Sequence, residues 1–548
     1  MYGLMMNSPL TVPVLLARAE ALHPSKEIVS YRLDKNCHRY TYDDFAQRAK
    51  KLAVALLNLG VQSGDRVATL CWNHHEHLEA YFGITAAGAV VHTLNPRLHP
   101  SDLAYIVNHA EDKILLVDAV LLPLLEEFRR EVSCRHVVVI SPDGVQGCVN
   151  APSFEGTLGY EQLLAKANEA EFHYPKLDEN QAAAMCYTSG TTGKPKGVLY
   201  SHRAIVLQSL ALCMVDTMAI CEADTVVPVA SMFHANAWNL PFTCTLAGAR
   251  QVYVGPHLDP VGLLQVLERE RATLTAGVPT IWLAVLNVLD QTPGAYDLSR
   301  LRVIVTGGSA APRSMIEGFE ERHGLKILHI WGMTEMAPLG SMAYLPSALR
   351  DAPKAEQYVY RAKQGVPAPL VEFRARGAAG LLSWDGKSVG ELEVRGPWVA
   401  RAYYNCPEGA AAFTEDGWLR TGDIVTVDAR GCIDIQDRAK DVIKSGGEWI
   451  SSVALENALM GHPAVAEAAV VAVEHGKWQE RPLAVIVLKE GKTATPSELL
   501  DFLAPHFAKW WLPDAVVFVP EIPRTSAGKF LKRALREQFR DYLSTGPK

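Results

Sequence analysis

The sequence predicts an α/β protein with mostly parallel sheets, and two observations lead to this prediction. Short apolar runs recur along most of the chain, each of a length typical of a buried strand. Between several of these runs lie longer segments with apolar residues on one helical face, such as 40–60. Strands that alternate with helices pack as parallel sheets covered by helices.

The apolar runs give the strand assignments. The predicted strands occupy residues 66–72, 89–94, 113–118, 135–140, 225–230, 250–255, 272–278 and 301–308. After about residue 360, glycine, proline and short strands such as GELEVRG, GWLRTGD and GCIDIQDR become denser. This change predicts a small antiparallel or barrel-like part.

The chain of 548 residues is too long for a single core, which predicts more than one domain. From about residue 440 the pattern is a compact set of strands and helices, which begins with the strand-like DVIKSGGEWI, 441–450, and ends in the basic helix FLKRALREQFR. Polar residues interrupt the apolar run at 436–438. We therefore predict a large N-terminal domain, 1–436, and a smaller α+β C-terminal domain, 437–548.

Composition narrows the class of protein. The net charge is −7 and no basic stripe occurs, so nucleic acid is not an expected partner. The sequence has no run of 18 apolar residues, so we expect no membrane span. The start MYGLMMNSPLTVP lacks the basic region of a signal peptide. The ten cysteines form no C-x-x-C pair, which is typical of reduced thiols. We expect a cytoplasmic protein.

One polar cluster, CWNHHEHLEA, contains Cys71, His74, His75 and His77 and suggests a metal site. Its spacing matches no common zinc pattern, and no second ligand pair follows at a suitable distance. An apolar helical stripe continues through Leu78 beside it. A helix start rich in polar groups is therefore the favoured interpretation, with a metal site as the alternative.

The segment YTSGTTGKPKGV, 187–198, has the composition of a phosphate-binding loop. Glycines allow backbone N–H groups to approach an anion, and hydroxyls and lysines add donors and positive charge. A Walker A loop would need four residues between its glycines and a hydroxyl residue after lysine. Here Gly190 and Gly193 are two residues apart and Pro195 follows Lys194, which excludes that loop.

The segment resembles the phosphate-loop signature of the adenylate-forming superfamily of acyl-CoA synthetases, luciferases and peptide-synthetase adenylation domains. Further segments resemble that family's successive motifs in the family's order: MFHANAW, TGGSAAP, IWGMTE, GWLRTGD, DRAKDVIKSGGEWIS and PRTSAGK. Within the superfamily, SGGEWISS and KWQERPLA make the chain most similar to medium- and long-chain fatty acyl-CoA ligases and 3-methylmercaptopropionyl-CoA ligases.

The resemblance implies a two-step reaction. A carboxylic acid attacks the α-phosphorus of ATP to give acyl-adenylate and pyrophosphate, and the thiol of coenzyme A then displaces AMP. The loop would hold the β- and γ-phosphates through Thr188, Ser189, Gly190, Thr191, Thr192, Gly193 and Lys196. Mg²⁺ prefers oxygen ligands, and the matching positions are Thr188 and Glu335.

The remaining site residues are also assigned by resemblance. Lys529 would reach the α-phosphate and the acyl carboxylate, and His234 would orient the carboxylate. Trp238 would gate the acyl tunnel, to which Gly308 and Gly332 would contribute. The nucleoside would be bound by Gly308, Ser309, Ala310, Trp331, Gly332, Met333, Thr334, Asp423 and Arg438.

The second step would follow a rotation of the small domain about a hinge at Asp437. Lys444, Gly446, Gly447 and Trp449 would then shape the coenzyme A tunnel. Arg438 has a second interpretation, in which it forms an ion pair with Asp437 or Asp441. The alternative for Lys444 is a purely structural role.

Three alternatives remain at this point. A peptide-synthetase adenylation domain would carry an acidic residue in the fourth motif, where MFHANAW has none. Nothing singles out a luciferase-like oxygenase. An inactive nucleotide-binding relative would show damage at Lys529, Glu335 or the loop, and all are intact. Acid length is open, with medium chains favoured over long chains or 3-methylmercaptopropionate, and family members form homodimers, which we expect here.

Overall fold

We describe a computed structural model of the chain. It describes residues 1, 3–31, 37–141, 157–188, 194–256, 259–446, 448–524, 529–540 and 542–545. The predicted phosphate-loop residues 189–193, Gly447 and residues 525–528 of the PRTSAGK motif lie outside these ranges.

The larger part of the protein contains two mainly parallel sheets. The seven-stranded sheet has the order Leu158–Gly159, His136–Ile140, Ile114–Asp118, Arg66–Leu70, Val90–Thr93, Ala182–Tyr187 and Gly197–Ser201, the last strand being antiparallel. The nine-stranded sheet has the order Val366–Pro367, Leu339–Met342, Ile327–Gly332, Val303–Thr306, Leu274–Gly277, Thr225–Pro228, Arg250–Tyr253, Glu27–Tyr31 and Cys37–Thr41. Its central strands are parallel and its ends antiparallel.

All eight strands predicted from the apolar runs are present, each shorter than predicted by one to four residues in total. The α/β class is therefore confirmed. Helices connect and cover the sheets: Val12–Leu22, Tyr42–Asn58, His75–Ala86, Pro100–Ala110, Leu122–Phe128, Tyr160–Lys166, His202–Cys213, Leu240–Ala247, Pro260–Arg269, Pro279–Gln291, Arg313–His323 and Lys354–Ala362. The short segment Ala235–Trp238 is a left-handed turn. Among the described residues, none of the helices has both the length and the apolarity needed to cross a bilayer.

Local sequence explains where the predicted helix near residue 40 begins. The Thr41 hydroxyl accepts a hydrogen bond from the Asp44 N–H, and the Asp44 carboxylate accepts one from the Thr41 N–H. This reciprocal capping satisfies two donors that a helix start leaves open. Ala46, Ala49 and Leu56 lie on the buried face.

The helix His75–Ala86 is buried at every residue because it packs against strands of both large sheets. It begins in the CWNHHEHLEA cluster, so the predicted helix start is confirmed. The His74 side chain caps the helix by accepting from the His77 N–H. A polar segment is thus buried between two apolar layers, where the side chains of Asn73, His74 and His77 form hydrogen bonds.

The predicted antiparallel part is a five-stranded sheet with the order Gly380–Leu381, Glu372–Gly377, Gly390–Arg395, Leu419–Val427 and Ile433–Arg438. Each pair of neighbouring strands is antiparallel, and the path through the described strands is open rather than closed into a barrel. The predicted domain join at 436–438 lies in the last strand of this sheet. The boundary itself stays a prediction.

The C-terminal part is a separate α+β unit with its own apolar core. Its strands are Glu448–Ile450, Ile443–Ser445, Gln479–Leu488 and Val465–His475, with Ala515–Phe518 parallel to Gln479–Leu488. Its helices are Ser452–Leu459, Pro496–Leu503, Lys532–Gln538 and Tyr542–Thr545. The segment 441–450, predicted as one strand, is instead a hairpin whose turn contains Gly446 at φ 60°.

Candidate active site

A cleft of about 770 Å³ lies between the two parts of the protein. The predicted site residues that line it come from several segments far apart in the sequence: Thr188, Lys196, His234, Trp238, Gly308, Trp331, Gly332, Met333, Thr334, Glu335, Arg438 and Lys529. An adjoining cavity of about 220 Å³ adds Ser309, Ala310 and Asp423. Segments from opposite ends of the chain therefore converge on one space.

Asp423 is the centre of a rigid group at the predicted nucleoside end. The Trp331 indole N–H donates to Asp423 Oδ2 at 2.9 Å, and Arg438 Nε lies 2.7 Å from Asp423 Oδ1. Arg438 thus pairs with Asp423 rather than with Asp437 or Asp441, its second predicted partners. Asp441 pairs with Arg536 instead, at 2.5 Å. The indole ring and the carboxylate are held in fixed relation to each other.

Two hydrogen bonds hold the ends of the predicted phosphate loop together. Thr188 N donates to the Lys196 carbonyl at 3.0 Å, and Lys196 N donates to Thr188 Oγ1 at 3.1 Å. The five residues between Thr188 and Lys194 are not described. The two anchoring ends place Thr188 and the lysines at one end of the cleft.

Tyr403 is a cleft residue that the sequence reasoning missed. Its hydroxyl donates to Glu335 Oε1 at 2.6 Å, and the Lys196 ammonium lies 4.8 Å from its ring centre. Tyr403 therefore orients the carboxylate and contacts the lysine at the same time. Its segment, ARAYYN, carries no chemical signature, so no sequence pattern could have identified it.

Lys529 and His234 both line the cleft, and the Lys529 charge acts on the His234 imidazole. Burial and the nearby Arg438 cation lower the pKa of Lys529 to about 8. Burial, with the Lys529 and Arg97 charges, lowers the pKa of His234 to about 4. At neutral pH the imidazole is therefore neutral and the lysine is largely charged.

The backbone after His234 has an unusual form. Ala235, Asn236, Ala237, Trp238 and Asn239 all have positive φ, from 44° to 65°. A run of left-handed non-glycine residues costs roughly 1–2 kcal/mol per residue, and such strain persists only where surrounding structure holds it. The turn points Trp238 into the cleft, where it is 7% exposed.

Asn73 is part of what holds this segment. Its side-chain amide donates to the carbonyls of Pro228 and Ala230 at 3.1 and 2.9 Å, and its oxygen accepts from Met232 N at 2.7 Å. Asn73 belongs to the polar cluster that precedes His75–Ala86. That cluster therefore supports the loop that carries His234.

Two residues of the same cluster, Cys71 and His74, lie close to Asp118 in an arrangement that could hold a metal ion. The ligand atoms of Cys71, His74 and Asp118 lie within 4.8 Å of one another. His74 Nε2 is hydrogen-bonded to Asp118 Oδ1 at 2.8 Å, and Asp118 Oδ2 accepts from Trp72 N at 2.8 Å. These bonds account for the group as polar packing between the sheets, without an ion.

Gly332, a predicted tunnel residue, and Gly340 both have a packing role. A β-carbon on Gly332 would lie 1.8 Å from the Pro338 carbonyl oxygen, and one on Gly340 would lie 2.4 Å from the Trp331 ring. Gly332 also lines the cleft. Their small size lets the Ile327–Gly332 and Leu339–Met342 strands close around Trp331.

Of the predicted coenzyme A residues, the three that the structure describes, Lys444, Gly446 and Trp449, do not line the cleft. Lys444 is exposed and its N–H donates to Glu480 at 2.7 Å, while Trp449 is 45% exposed. Gly446 lies beside Trp478 at the hairpin turn. Their predicted role requires a different arrangement of the C-terminal part and stays a prediction.

The fold and this converging cleft define an adenylate-forming enzyme. The AMP-binding enzyme model matches residues 16–404, and the model of the AMP-binding enzyme C-terminal domain matches residues 454–529. The chain belongs to the AMP-binding enzyme family.

Curated relatives match nearly the whole chain. A long-chain-fatty-acid–CoA ligase of Thermus thermophilus is 51% identical over 98% of this chain and 97% of its own length. A 3-methylmercaptopropionyl-CoA ligase of Ruegeria lacuscaerulensis is 43% identical, covering 99% of this chain and all of the relative. A medium-chain-fatty-acid–CoA ligase of Ectopseudomonas oleovorans is 40% identical over 99% of this chain and 98% of the relative.

Solved structures share the arrangement. The anthranilate CoA ligase AuaEII in complex with anthranoyl-AMP aligns with a TM-score of 0.86 at 24% identity, over 98% of this chain and 99% of that one. At that identity the likeness establishes the fold. ATP-bound MatB from Rhodopseudomonas palustris aligns with a TM-score of 0.81 at 26% identity, over 97% of this chain and 99% of that one.

Proposed function

We propose that the protein is an acyl-CoA ligase that activates a medium-chain fatty acid with ATP and transfers the acyl group to coenzyme A. The observation that carries the proposal is the convergence of Lys529, Glu335 and Asp423 around one cleft, from motifs far apart in the chain. The names of the relatives support the same class of reaction.

In the first half-reaction a carboxylate approaches a polyphosphate, so repulsion between negative charges dominates the barrier. Lys196 and the undescribed loop 189–193 bind the leaving pyrophosphate. Lys529 meets the α-phosphate and the carboxylate. Neutral His234 donates a hydrogen bond to the acid without adding a second buried cation next to Lys529.

The nucleoside occupies the adjoining cavity. Trp331 stacks on the adenine, and Asp423 accepts from the ribose hydroxyls while Trp331 and Arg438 hold its carboxylate in place. Backbone groups of 308–310 border the same cavity.

Thr188 and Glu335 offer an all-oxygen donor set at the phosphate end of the cleft, which fits Mg²⁺. The ion would neutralise charge on the phosphates when bound. Tyr403 holds Glu335 in orientation through its hydroxyl.

In the second half-reaction the C-terminal domain turns about Asp437. Lys529 leaves the cleft, and the hairpin with Lys444, Gly446 and Trp449 takes its place beside the entering thiol. The thiolate attacks the acyl carbon, and AMP leaves with the electrons of the broken carbon–oxygen bond. We expect the protein to act as a homodimer in the cytoplasm.

The acid occupies what we call the apolar arm of the cleft: Leu212, Met218, Ala235, Trp238 and Leu339, all buried. These buried apolar side chains suit an alkyl chain better than a polar or amino acid substrate. Long-chain acids and 3-methylmercaptopropionate are the alternatives that the relatives' names suggest.

The test is acid-dependent exchange of labelled pyrophosphate into ATP, followed by AMP release on addition of coenzyme A. We expect exchange with octanoate and thioester formation only when coenzyme A is present. Exchange that requires an amino acid, or no exchange with any carboxylic acid, would refute the proposal.

A further inference from the structure

We infer that Ser452 and Lys532 form a latch on Asp437 that holds the C-terminal domain where Lys529 lines the cleft. The inference rests on the proposed two-step reaction and assigns positioning roles to two residues that touch no substrate. The hinge latch consists of Asp437, Ser452 and Lys532.

Asp437 is fixed to the large part of the protein. It lies in the Ile433–Arg438 strand, pairs with Ile424 in the neighbouring strand, and is 1% exposed. Because this strand belongs to the five-stranded sheet, the Asp437 backbone stays with that sheet when the following residues turn.

The partners of Asp437 Oδ2 belong to the other side of the hinge, while Oδ1 accepts from the Arg438 N–H of the same strand. Its Oδ2 accepts from both the N–H and the hydroxyl of Ser452, at 2.7 and 2.6 Å. Ser452 is the first residue of the helix Ser452–Leu459 in the C-terminal part. A carboxylate at a helix start also meets the positive end of the helix dipole.

Lys532 completes the chain of hydrogen bonds. Its ammonium donates to Ser452 Oγ at 2.6 Å and lies 2.7 Å from Glu456 Oε1. One serine hydroxyl donates once and accepts elsewhere, so it can link Lys532 to Asp437. Lys532 comes three residues after Lys529 and begins the Lys532–Gln538 helix, so the latch also anchors the segment that carries Lys529.

The geometry makes the latch specific for one arrangement. A rotation about Asp437 that brings the hairpin toward the cleft must move the Ser452–Leu459 and Lys532–Gln538 helices relative to the five-stranded sheet. The two bonds from Ser452 to Asp437 then break. The latch therefore favours adenylation and opposes the second half-reaction.

The experiment compares the two half-reactions in Ser452→Ala and Lys532→Met. One assay measures acid-dependent pyrophosphate exchange, and the other measures thioester formation from supplied acyl-adenylate and coenzyme A. We expect the ratio of adenylation to thioester formation to fall about ten-fold, the scale of one lost hydrogen bond to a charged group. Lys532→Arg should restore much of the ratio.

A coupling measurement separates the latch from general damage. Because both residues act through one hydrogen-bond chain, the double variant should lower the ratio by less than the product of the single effects. The matched control is Arg540→Gln, which removes an exposed ion pair with Glu474 just beyond the same helix. We expect that control to leave the ratio unchanged.

A structural readout keeps the test independent of catalysis. Hydrogen exchange in the first turn of the Ser452–Leu459 helix should rise in both variants, because the Ser452 N–H is bonded to Asp437 Oδ2 less often. If wild-type protein shows no exchange of pyrophosphate, the proposed function fails, and hydrogen exchange alone decides the latch. Equal losses in both half-reactions, or unchanged hydrogen exchange in correctly folded variants, would overturn the inference.

Discussion

At the scale of single residues, the site depends on a buried lysine that is easily discharged. The pKa of Lys529 is lowered to about 8 by burial and by Arg438, so the cation is present below that pH and lost above it. Only the charged form can meet the carboxylate and the α-phosphate. We predict that kcat/KM for ATP in the exchange reaction falls as pH rises through about 8.

The matched variant for this prediction is Lys529→Arg. A guanidinium stays charged across the range, so the basic limb of the profile should disappear even if the rate is lower. A basic limb at the same pH in the arginine variant would assign it to another group.

Tyr403 allows a second test at this scale. Tyr403→Phe removes the hydroxyl that donates to Glu335 and keeps the ring beside Lys196. A hydrogen bond to a charged group contributes about 1.5–3 kcal/mol, so we predict that half-maximal exchange needs roughly ten-fold more Mg²⁺. Tyr404→Phe changes the neighbouring tyrosine and serves as the control. Identical Mg²⁺ curves for both variants would argue against the role.

At the scale of elements, the strained turn after His234 depends on its support. Asn73→Ala removes three hydrogen bonds to the segment 228–232. We predict a loss of about 2–4 kcal/mol in the free energy of unfolding, measured with denaturant, together with a lower kcat/KM. Asn73→Asp keeps the acceptor for Met232 N but places an oxygen against the carbonyls of Pro228 and Ala230, so it should be no more active than the alanine variant.

Asn108→Ala is a matched control for that prediction. Asn108 also bonds a neighbouring loop through its side chain, at Glu131 and Ser133, but at the exposed surface. Its loss should cost little stability and leave kcat/KM unchanged. Equal effects of Asn73→Ala and Asn108→Ala on activity would remove the link to His234.

The elements also show what sequence reasoning could reach. Buried parallel strands follow from apolar runs, because both faces of each strand need apolar contacts. The left-handed turn at 235–239 could not be predicted, since local preference opposes it and distant groups such as Asn73 hold it. The hairpin at 443–450 was predicted as one strand, although Gly446 and Gly447 marked a turn.

In the candidate site, too, some features could be predicted from the sequence and others could not. Trp331, Asp423 and Lys529 were predicted because their motifs have recognisable composition and order. The pairing of Arg438 with Asp423, and the contacts of Tyr403 and Ser452, depend on which segments meet across the fold. Tertiary packing determines these contacts, so no local sequence pattern could predict them.

At the scale of the whole molecule, the remaining question is which acid the cleft selects. Each methylene that enters a fitting apolar arm contributes about 0.8 kcal/mol, or roughly four-fold in kcat/KM, until the chain meets the end of the space. We predict that kcat/KM rises with acid length to a maximum at medium chains and then falls. Met218 is a buried member of the apolar arm, so Met218→Ala should enlarge the arm and move the maximum to a longer acid.

Met214→Ala supplies the control. Met214 lies four residues before Met218, at the end of the His202–Cys213 helix, but it is 49% exposed. It shortens a methionine without enlarging the cleft and should leave the maximum where the wild-type protein has it. A wild-type maximum at 3-methylmercaptopropionate would replace the medium-chain assignment with the short thioether acid. A maximum that stays fixed in Met218→Ala would show that the acyl chain ends elsewhere in the large domain, and that Met218 contributes only to packing.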